Sequence, residues 1–190
     1  MKKNLLISLW FTLVTTVIFG LLYPLVVTGL AQVLFPDRAN GQLFERKGKI
    51  VGSRIIGQAF TGSSYFHPRP SNAGTGYDPT SSSGSNLGPT NKNLIERVKG
   101  DVQKLQTEKP GAEIPVDLVT SSGSGLDSDI SPAAAEFQIP RVGRERHVSE
   151  NELHALVARH TLGRQFGFLG EPRVNVLALN LELDALHPPH

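Results

Sequence analysis

An uncharged apolar stretch near the N-terminus is the feature that most constrains how this chain can fold. No charged side chain occurs from Asn4 to Pro36, and most residues of this interval are apolar. At a rise of about 1.5 Å per residue, a helix of this length exceeds the roughly 30 Å hydrocarbon core of a bilayer. We expect one transmembrane helix within residues 1–36, tilted or projecting beyond the bilayer. The stretch contains no carboxylate, so ion selection by such a helix is excluded.

The two lysines before this stretch and the size of the domain after it predict its orientation, although the difference in charge between the two flanks is equivocal by itself. Lys2 and Lys3 precede it, and a large domain that follows an N-terminal span is translocated largely regardless of its own charge. We therefore expect a cytoplasmic N-terminus and an extracytoplasmic domain over residues 37–190. A cleaved signal peptide is the alternative, with Gly29-Leu30-Ala31 as the small-x-small site, although its apolar region is usually shorter. Under either interpretation the rest of the chain is exported.

Small and polar residues recur at every fourth position of the span. The repeated positions are Ser8, Thr12, Thr16, Gly20, Pro24, Thr28 and Gln32. Residues four apart share a helical face, and such a face favours close helix packing over contact with lipid. The predicted helix-packing interface is Thr12, Thr16, Gly20, Pro24 and Thr28. Pro24 cannot donate to the Gly20 carbonyl, which predicts a kink between them. The alternative is a lone anchor that merely tolerates these residues.

The exported part contains signals for both helices and strands. Apolar spacing from Asn91 to Glu108, with Thr90 or Asn91 as the cap, predicts a helix. Ser131 before Pro132 predicts the start of a short helix, and Ser149 with Glu152 predicts the capping box of another. Strands are expected over 114–119 and, from alternating leucines, over 175–183. The predicted fold class is a single N-terminal transmembrane helix plus a small α+β extracytoplasmic domain.

Two further segments are candidates for binding. Residues 63–70 place two adjacent aromatics, a histidine and an arginine between prolines, which predicts either a rigid binding edge or a stiff loop anchored by Tyr65 and Phe66. Residues 71–90 are rich in Gly, Ser, Thr and Asn, with Asp78 as the sole charge. Disordered segments usually carry Lys and Glu. We interpret residues 71–90 as an ordered loop that presents backbone groups to another molecule.

Several classes of function are excluded or disfavoured. The net charge of +2 provides no basic excess for nucleic acid, and the absence of cysteine rules out disulfides and thiolate metal sites. Ser85 and Ser124 each lack the glycine two residues before the serine that a G-x-S-x-G nucleophile elbow requires. The Asp127-Ser128-Asp129 run lacks the glycine and glutamate of a calcium loop. The histidines, including His187 and His190 in the tail, do not have metal-ligand spacing. We expect a protein without catalytic or metal-binding residues.

Taken together, the motifs resemble the C subunit family of the Kdp-type bacterial potassium-transporting ATPase over nearly the whole chain. The matching segments after the anchor are Asn40-Gly41, IGQAFTG (56–62), YFH (65–67), RPS (69–71), SGSNL (83–87), PVDLVT (115–120), SGLD (124–127), QIPRV (138–142) and PRVNVL (172–177). One departure is Ser83, since the family usually has two glycines before Ser-Asn.

The resemblance implies an accessory, assembly and stabilising subunit in the bacterial inner membrane. Its partners would be a potassium-binding channel-like subunit and an ATP-hydrolysing subunit. The family has been described as a catalytic chaperone that raises the ATP affinity of the pump, with the SGSN turn proposed to bind nucleotide. Because an exported domain cannot touch cytoplasmic ATP, we expect any ATP effect to be indirect or transient, with no firmly bound cofactor. A membrane-anchored envelope enzyme or binding protein is the alternative.

Eight residues are candidates for contact with a partner or a nucleotide. They come from the matching segments and from residues 63–70 of the exported part. They are Gln58, Tyr65, Phe66, Arg69, Ser83, Gly84, Ser85 and Asn86.

Overall fold

The computed structural model describes residues 1–188, and the chain divides into two compact units, Met1–Val51 and a second that begins at Gly52. Residues 189 and 190 of the expected exported domain, including His190, lie outside the described residues. The first unit holds the apolar helix and a small two-stranded sheet. The second unit holds the remaining helices and strands, and each unit is described separately below.

The first unit begins with a continuous helix over Lys2–Leu34 that is long and apolar enough to cross a membrane. It consists of α1 (Lys2–Thr15), a π-helical segment (Thr16–Leu22) and α2 (Tyr23–Leu34). A short helix α3 (Pro36–Ala39) follows, and β1 (Leu43–Arg46) pairs with β2 (Lys49–Ser53). None of the residues in α1, α2 or the π-helical segment is buried.

The backbone pattern of the apolar helix changes next to Pro24. The Tyr23 N–H donates to the Ile18 carbonyl, five residues back rather than four. Pro24 lies in the first turn of α2, directly after the π-helical segment, and has no N–H to donate to the preceding turn. The irregularity is a π-helical segment over Thr16–Leu22, which overlaps the predicted interval between Gly20 and Pro24 only at its end. The kink itself stays a prediction.

Within the described residues, the second unit combines four helices with a three-stranded antiparallel sheet. Its elements are α4 (Lys92–Glu108), a 3₁₀ turn (Val116–Leu118), β3 (Asp129–Ile130), α5 (Pro132–Arg146), α6 (Glu150–His160), β4 (Thr161–Leu162), β5 (Arg173–Asn175) and α7 (Val176–Leu186). The strand order is β3-β5-β4, with Ile130 and Thr161 both opposite Val174. This arrangement confirms the mixed helix-and-strand class predicted for this part of the chain.

Side-chain caps fix where the helices of this unit begin. Asn91 accepts from the Asn93 and Leu94 amides, Ser131 from the Ala134 amide and Ser149 from the Glu152 amide. These contacts confirm three helices predicted from cap signals, although α5 runs on to Arg146. Each such cap contributes about 1 kcal/mol.

The core lies where α5, α6 and α7 meet the central strand β5. Its fully buried side chains include Ile139, Leu153, Val174, Leu179 and Leu183. Burial of each large aliphatic side chain contributes roughly 1.5–3 kcal/mol. The helices are therefore positioned by one shared apolar core.

Two strand predictions are wrong. Residues 175–183 form β5 only up to Asn175 and then turn into α7, because Asn175 caps the helix by accepting from the Ala178 amide. Most of the buried residues of α7 repeat at intervals of three or four, as a helical face requires, and not at the interval of two expected of a strand; they are Val176, Leu177, Leu179, Asn180 and Leu183. Residues 114–119 contain no strand but only the 3₁₀ turn Val116–Leu118, which buries Leu118.

Candidate functional site

The predicted packing face of the apolar helix is available on the surface of the chain. Thr12, Thr16, Gly20, Pro24 and Thr28 are all exposed. A Cβ placed on Gly20 would make only an ordinary contact with Thr16 Cγ2 at 3.7 Å. The small residue is therefore not required by packing within this chain, and its surface remains open to another helix.

The segment 63–67 is held in place by side chains from two helices of the second unit. Asn180 of α7 accepts from the Phe66 N–H at 2.9 Å and donates to the Phe66 carbonyl at 2.9 Å. Gln138 of α5 accepts from the His67 N–H at 2.8 Å and donates to the His67 carbonyl at 3.1 Å. These buried amides act like the edge of a neighbouring strand, so the segment is rigid without belonging to a sheet.

Two arginines of α5 complete this attachment. Arg141 donates to the Ser63 and Tyr65 carbonyls and pairs with Glu108 at 2.6 Å. Arg146, whose side chain is 2% exposed, donates to the Ser64 carbonyl at 2.8 Å and to Asp184 at 2.7 Å. A buried guanidinium is tolerated only when its donors and its charge are satisfied, and these partners satisfy them.

The aromatic pair of this segment serves the fold, which corrects one predicted contact. Phe66 is completely buried in the core, so its side chain cannot meet a partner. Tyr65 is half-buried, with the Arg146 guanidinium 4.5 Å from its ring centroid and its hydroxyl 3.3 Å from Asp184. The anchored-loop alternative is therefore confirmed for Phe66.

Arg69 ties the end of the segment to the loop that precedes β3. Its guanidinium pairs with Asp127 at 3.1 Å and donates to the Thr120 carbonyl at 3.3 Å. The Tyr77 hydroxyl donates to the Arg69 carbonyl from the other side. Burial, together with the Asp127 carboxylate, raises the pKa of Tyr77, so the phenol stays protonated and remains a donor.

An open groove of about 490 Å³ runs beside residues 67–71. Phe60, His67, Arg69, Thr75 and Tyr77 are among its lining residues. Burial and the Arg141 guanidinium lower the pKa of His67, whose ring nitrogen lies 2.9 Å from the Gly62 carbonyl. The groove therefore presents a neutral imidazole at neutral pH beside aromatic and hydroxyl surface.

The two serine-glycine turns, residues 83–86 and 121–125, lie against each other. The Ser83 N–H donates to the Ser124 carbonyl at 2.9 Å. Gly125 has a φ of +67°, and a Cβ there would come within 2.6 Å of the Ser83 carbonyl oxygen. A Cβ on Gly84 would lie 2.9 Å from the Gly123 carbonyl oxygen. The glycines are needed for this close approach of the two backbones.

The remaining candidates differ in exposure. Asn86 is exposed with a φ of +51°, and Ser85 is half-buried and accepts from the Leu87 amide at 3.4 Å. The amide of Gln58 packs on Gly52, where an added Cβ would lie 2.3 Å from Gln58 Nε2. Of the eight candidates, Asn86 is the one whose side chain is exposed at a turn.

The first turn carries no cationic side chain that could hold the phosphates of a nucleotide. Phosphate groups are held by Lys or Arg, by a helix N-terminus or by a nest of free amides. The only charged side chain in residues 71–90 is the acidic Asp78, and the Ser83 amide is already bonded to Ser124. Among residues 1–188, no group of three His, Asp or Glu side chains is placed to hold a metal ion.

Four residues that hold the segment 63–67 in place were not among the predicted site residues. They are Gln138, Arg141, Arg146 and Asn180. Asn180 carries a signal in the sequence, since it is a lone amide in the leucine-rich run after Asn175. Gln138 and Arg141 lie within QIPRV, one of the segments that carry the family resemblance.

Fold and site together define a class: within the described residues, one helix is long and apolar enough to cross a membrane, and a small α+β unit holds the segment 63–67 and two turns in place. The chain matches the family described as KdpC, K⁺-transporting ATPase, c chain, over residues 5–185. The chain belongs to this family.

Individual relatives match over almost their entire length. A potassium-transporting ATPase KdpC subunit from Koribacter versatilis is 63% identical over 188 residues, covering 99% of this chain and 97% of the relative. The KdpC subunit from Methylobacterium nodulans is 55% identical over 199 residues, covering 98% and 96%. The KdpC subunit from Acidobacterium capsulatum is 54% identical over 186 residues, covering 97% and 100%.

Proposed function

We propose that this chain is the accessory subunit that assembles and stabilises an ATP-driven, high-affinity potassium importer. The observation that carries the proposal is the family match over residues 5–185, which includes both the apolar helix and the head. Relatives that are 54–63% identical are named as KdpC subunits of a potassium-transporting ATPase. Neither the fold nor the comparisons favour an unrelated envelope enzyme.

In this proposal the chain crosses the bacterial inner membrane once, with its N-terminus in the cytoplasm and its head outside. Lys2 and Lys3 at the short end of the helix support this direction. The helix Lys2–Leu34 has the length and composition of a span. The head then lies on the side from which potassium enters.

The subunit contributes packing contacts to the complex, and its partners bind potassium and hydrolyse ATP. The exposed face of Thr12, Thr16, Gly20, Pro24 and Thr28 docks on helices of a potassium-binding, channel-like subunit. A separate subunit hydrolyses ATP. This division is supported by the uncharged span, which offers no carboxylate for a cation.

Any effect of this subunit on the ATP affinity of the pump passes through helix packing and not through contact with the nucleotide. Coupling of this kind requires that the subunit bind two states of the pump with different affinity. The lack of cationic side chains in residues 71–90 supports an indirect route. A photoreactive ATP analogue should leave Ser85 and Asn86 unlabelled in oriented vesicles, and labelling of either would contradict this route.

Replacement of Gly20 by leucine tests the docking of the span. Since a Cβ on Gly20 meets only one ordinary contact within this chain, Gly20→Leu should leave the helix intact but block its approach to a partner. We expect about a five- to thirtyfold loss of co-purification with the other subunits in mild detergent, because lost interhelical contact costs about 1–2 kcal/mol.

Gly29→Leu is the matched control, since Gly29 lies off the predicted face and a Cβ there meets open space. Both variants should reach the membrane fraction in equal amount. Equal co-purification of Gly20→Leu and wild type would contradict the docking proposal.

A further inference from the structure

A short loop between β4 and β5 displays large apolar side chains to solvent. Phe166 is 86% exposed, Phe168 is 70% exposed and Leu169 is 47% exposed. These three residues are called the aromatic knob below. Leu162, at the end of β4, is also exposed, at 52%. Neither the core nor the groove uses these side chains.

The loop that carries the knob is ordered by its own hydrogen bonds. The Gln165 N–H donates to the Leu169 carbonyl at 2.8 Å, and the Leu169 N–H donates back to the Gln165 carbonyl at 2.9 Å. The Phe168 N–H also donates to the Gln165 carbonyl, at 3.2 Å. The Arg164–Glu171 ion pair, at 2.6 Å, closes the base. The rings therefore project from a fixed backbone.

Phe166 stands in an unfavourable backbone conformation. Its φ is +53°, a region that a bulky side chain rarely adopts, and Gly167 and Gly170 continue the turn with φ of +82° and +75°. Such strain is retained where the surrounding structure enforces it, and it clusters at binding sites. A preordered display lowers the entropy cost of binding to a shaped surface. Lipid tails, in contrast, need no fixed ring geometry.

The size of the knob limits what can bind it. Its exposed surface is on the order of 400 Å² of apolar area, within the range of patches that mark interaction sites. A stable, independent interface buries about 800 Å² on each partner, so the knob alone is too small to hold two copies of this chain together. It suffices for a partner that another part of the chain already holds, because the second contact is then effectively intramolecular.

The charge at the base of the knob disfavours a lipid surface as the occupant. Loops and helices that bind anionic lipid combine apolar side chains with an excess of Lys and Arg. Within residues 163–171, Arg164 is the one cation, and Glu171 neutralises it. An apolar socket on a protein matches this neutral, shaped surface better.

We propose that the aromatic knob inserts into an apolar socket on the extracytoplasmic surface of a neighbouring subunit of the same complex. This inference rests on the proposed function, which supplies the partner and the first contact through the span. The head is then held at two points, the membrane helix and the knob. Phe166 and Phe168 are the main anchors, as buried aromatics commonly dominate the energy of an interface.

The first experiment places a photoreactive benzoylphenylalanine at Phe166 in the full complex in native membranes. Irradiation should yield a covalent product between this chain and another subunit, identified by mass spectrometry. The same probe at Val116, an exposed apolar position outside the knob, should yield little product. Products with lipid alone or with a second copy of this chain, or no product, would overturn the proposal.

The second experiment compares Phe166→Ser/Phe168→Ser with Val116→Ser in the purified complex. The double variant should leave the head folded, since both rings are exposed, and should speed dissociation of the chain from the complex at least about tenfold. Val116→Ser should dissociate like wild type. An unchanged dissociation rate for a folded double variant would overturn the proposal about the knob and leave the proposed function standing. Failure of the wild-type chain to co-purify with the complex would overturn the proposed function.

Discussion

At the scale of single residues, Asn180 shows how one polar side chain fixes the segment 63–67. It is 1% exposed in a leucine-rich helix, and its amide bonds both the N–H and the carbonyl of Phe66. An unpaired buried amide group costs about 1–3 kcal/mol, so such a residue is retained only where its bonds are complete. The buried Phe66 ring and the exposed groove beyond it both depend on this contact.

Replacement of Asn180 by leucine should therefore destabilise the head strongly. The variant leaves two backbone groups of Phe66 buried without partners, and we expect a loss of about 2–4 kcal/mol in the free energy of unfolding. Urea unfolding of the detergent-solubilised chain, followed by circular dichroism, measures this loss. Asn151→Ala, at an exposed position of α6, is the control and should change stability by less than about 0.5 kcal/mol. A similar small effect for Asn180→Leu would contradict the role given to the bonds between Asn180 and Phe66.

His67 makes the stability of the head depend on pH. Burial and the nearby Arg141 guanidinium lower the pKa of His67 below its ordinary value of 6.5. The unfolded chain then binds a proton at a higher pH than the folded chain does. The part of the folding stability that depends on a neutral His67 is therefore fully present above pH 6.5 and declines as the pH falls below it. His67→Gln should flatten the loss of stability between about pH 7.5 and about pH 5.5 in urea melts. An identical pH dependence in both proteins would contradict this assignment.

At the scale of elements, local signals predicted some parts and not others. The starts of α4, α5 and α6 follow from caps at Asn91, Ser131 and Ser149, because a cap acts within one turn. The leucines of α7 satisfy both a strand and a helix pattern, and only the Asn175 cap and the shared core select the helix. The bond from Phe66 to Asn180 spans 114 residues, so no local pattern could reveal it.

The contact between the two serine-glycine turns supports a prediction at this scale. Gly125→Ala places a Cβ at positive φ and against the Ser83 carbonyl, so the turns must separate. We expect a loss of about 1–3 kcal/mol and faster hydrogen exchange across residues 82–86. Gly123→Ala is the matched control, since a Cβ there meets open space. Equal exchange in the two variants would show that the close approach of the turns is not required.

At the scale of the whole molecule, the two units carry different surface features. The first unit has an exposed stripe of small and polar residues, and the second has the ordered segment 63–67, a groove and the aromatic knob. The anchor was predictable because a long apolar interval without any charge is typical of a membrane span and rare elsewhere. The knob was not, because Phe166 and Phe168 lie in a sequence that is equally compatible with a buried turn.

The position of the head outside the cytoplasm is the central claim, and protease accessibility tests it most directly. Trypsin is added to sealed spheroplasts that express the chain with a C-terminal tag, and a cytoplasmic marker protein reports whether the cells remain intact. We expect loss of the tag and digestion of the head while the marker survives. Digestion of the head only after the spheroplasts are lysed would contradict this topology.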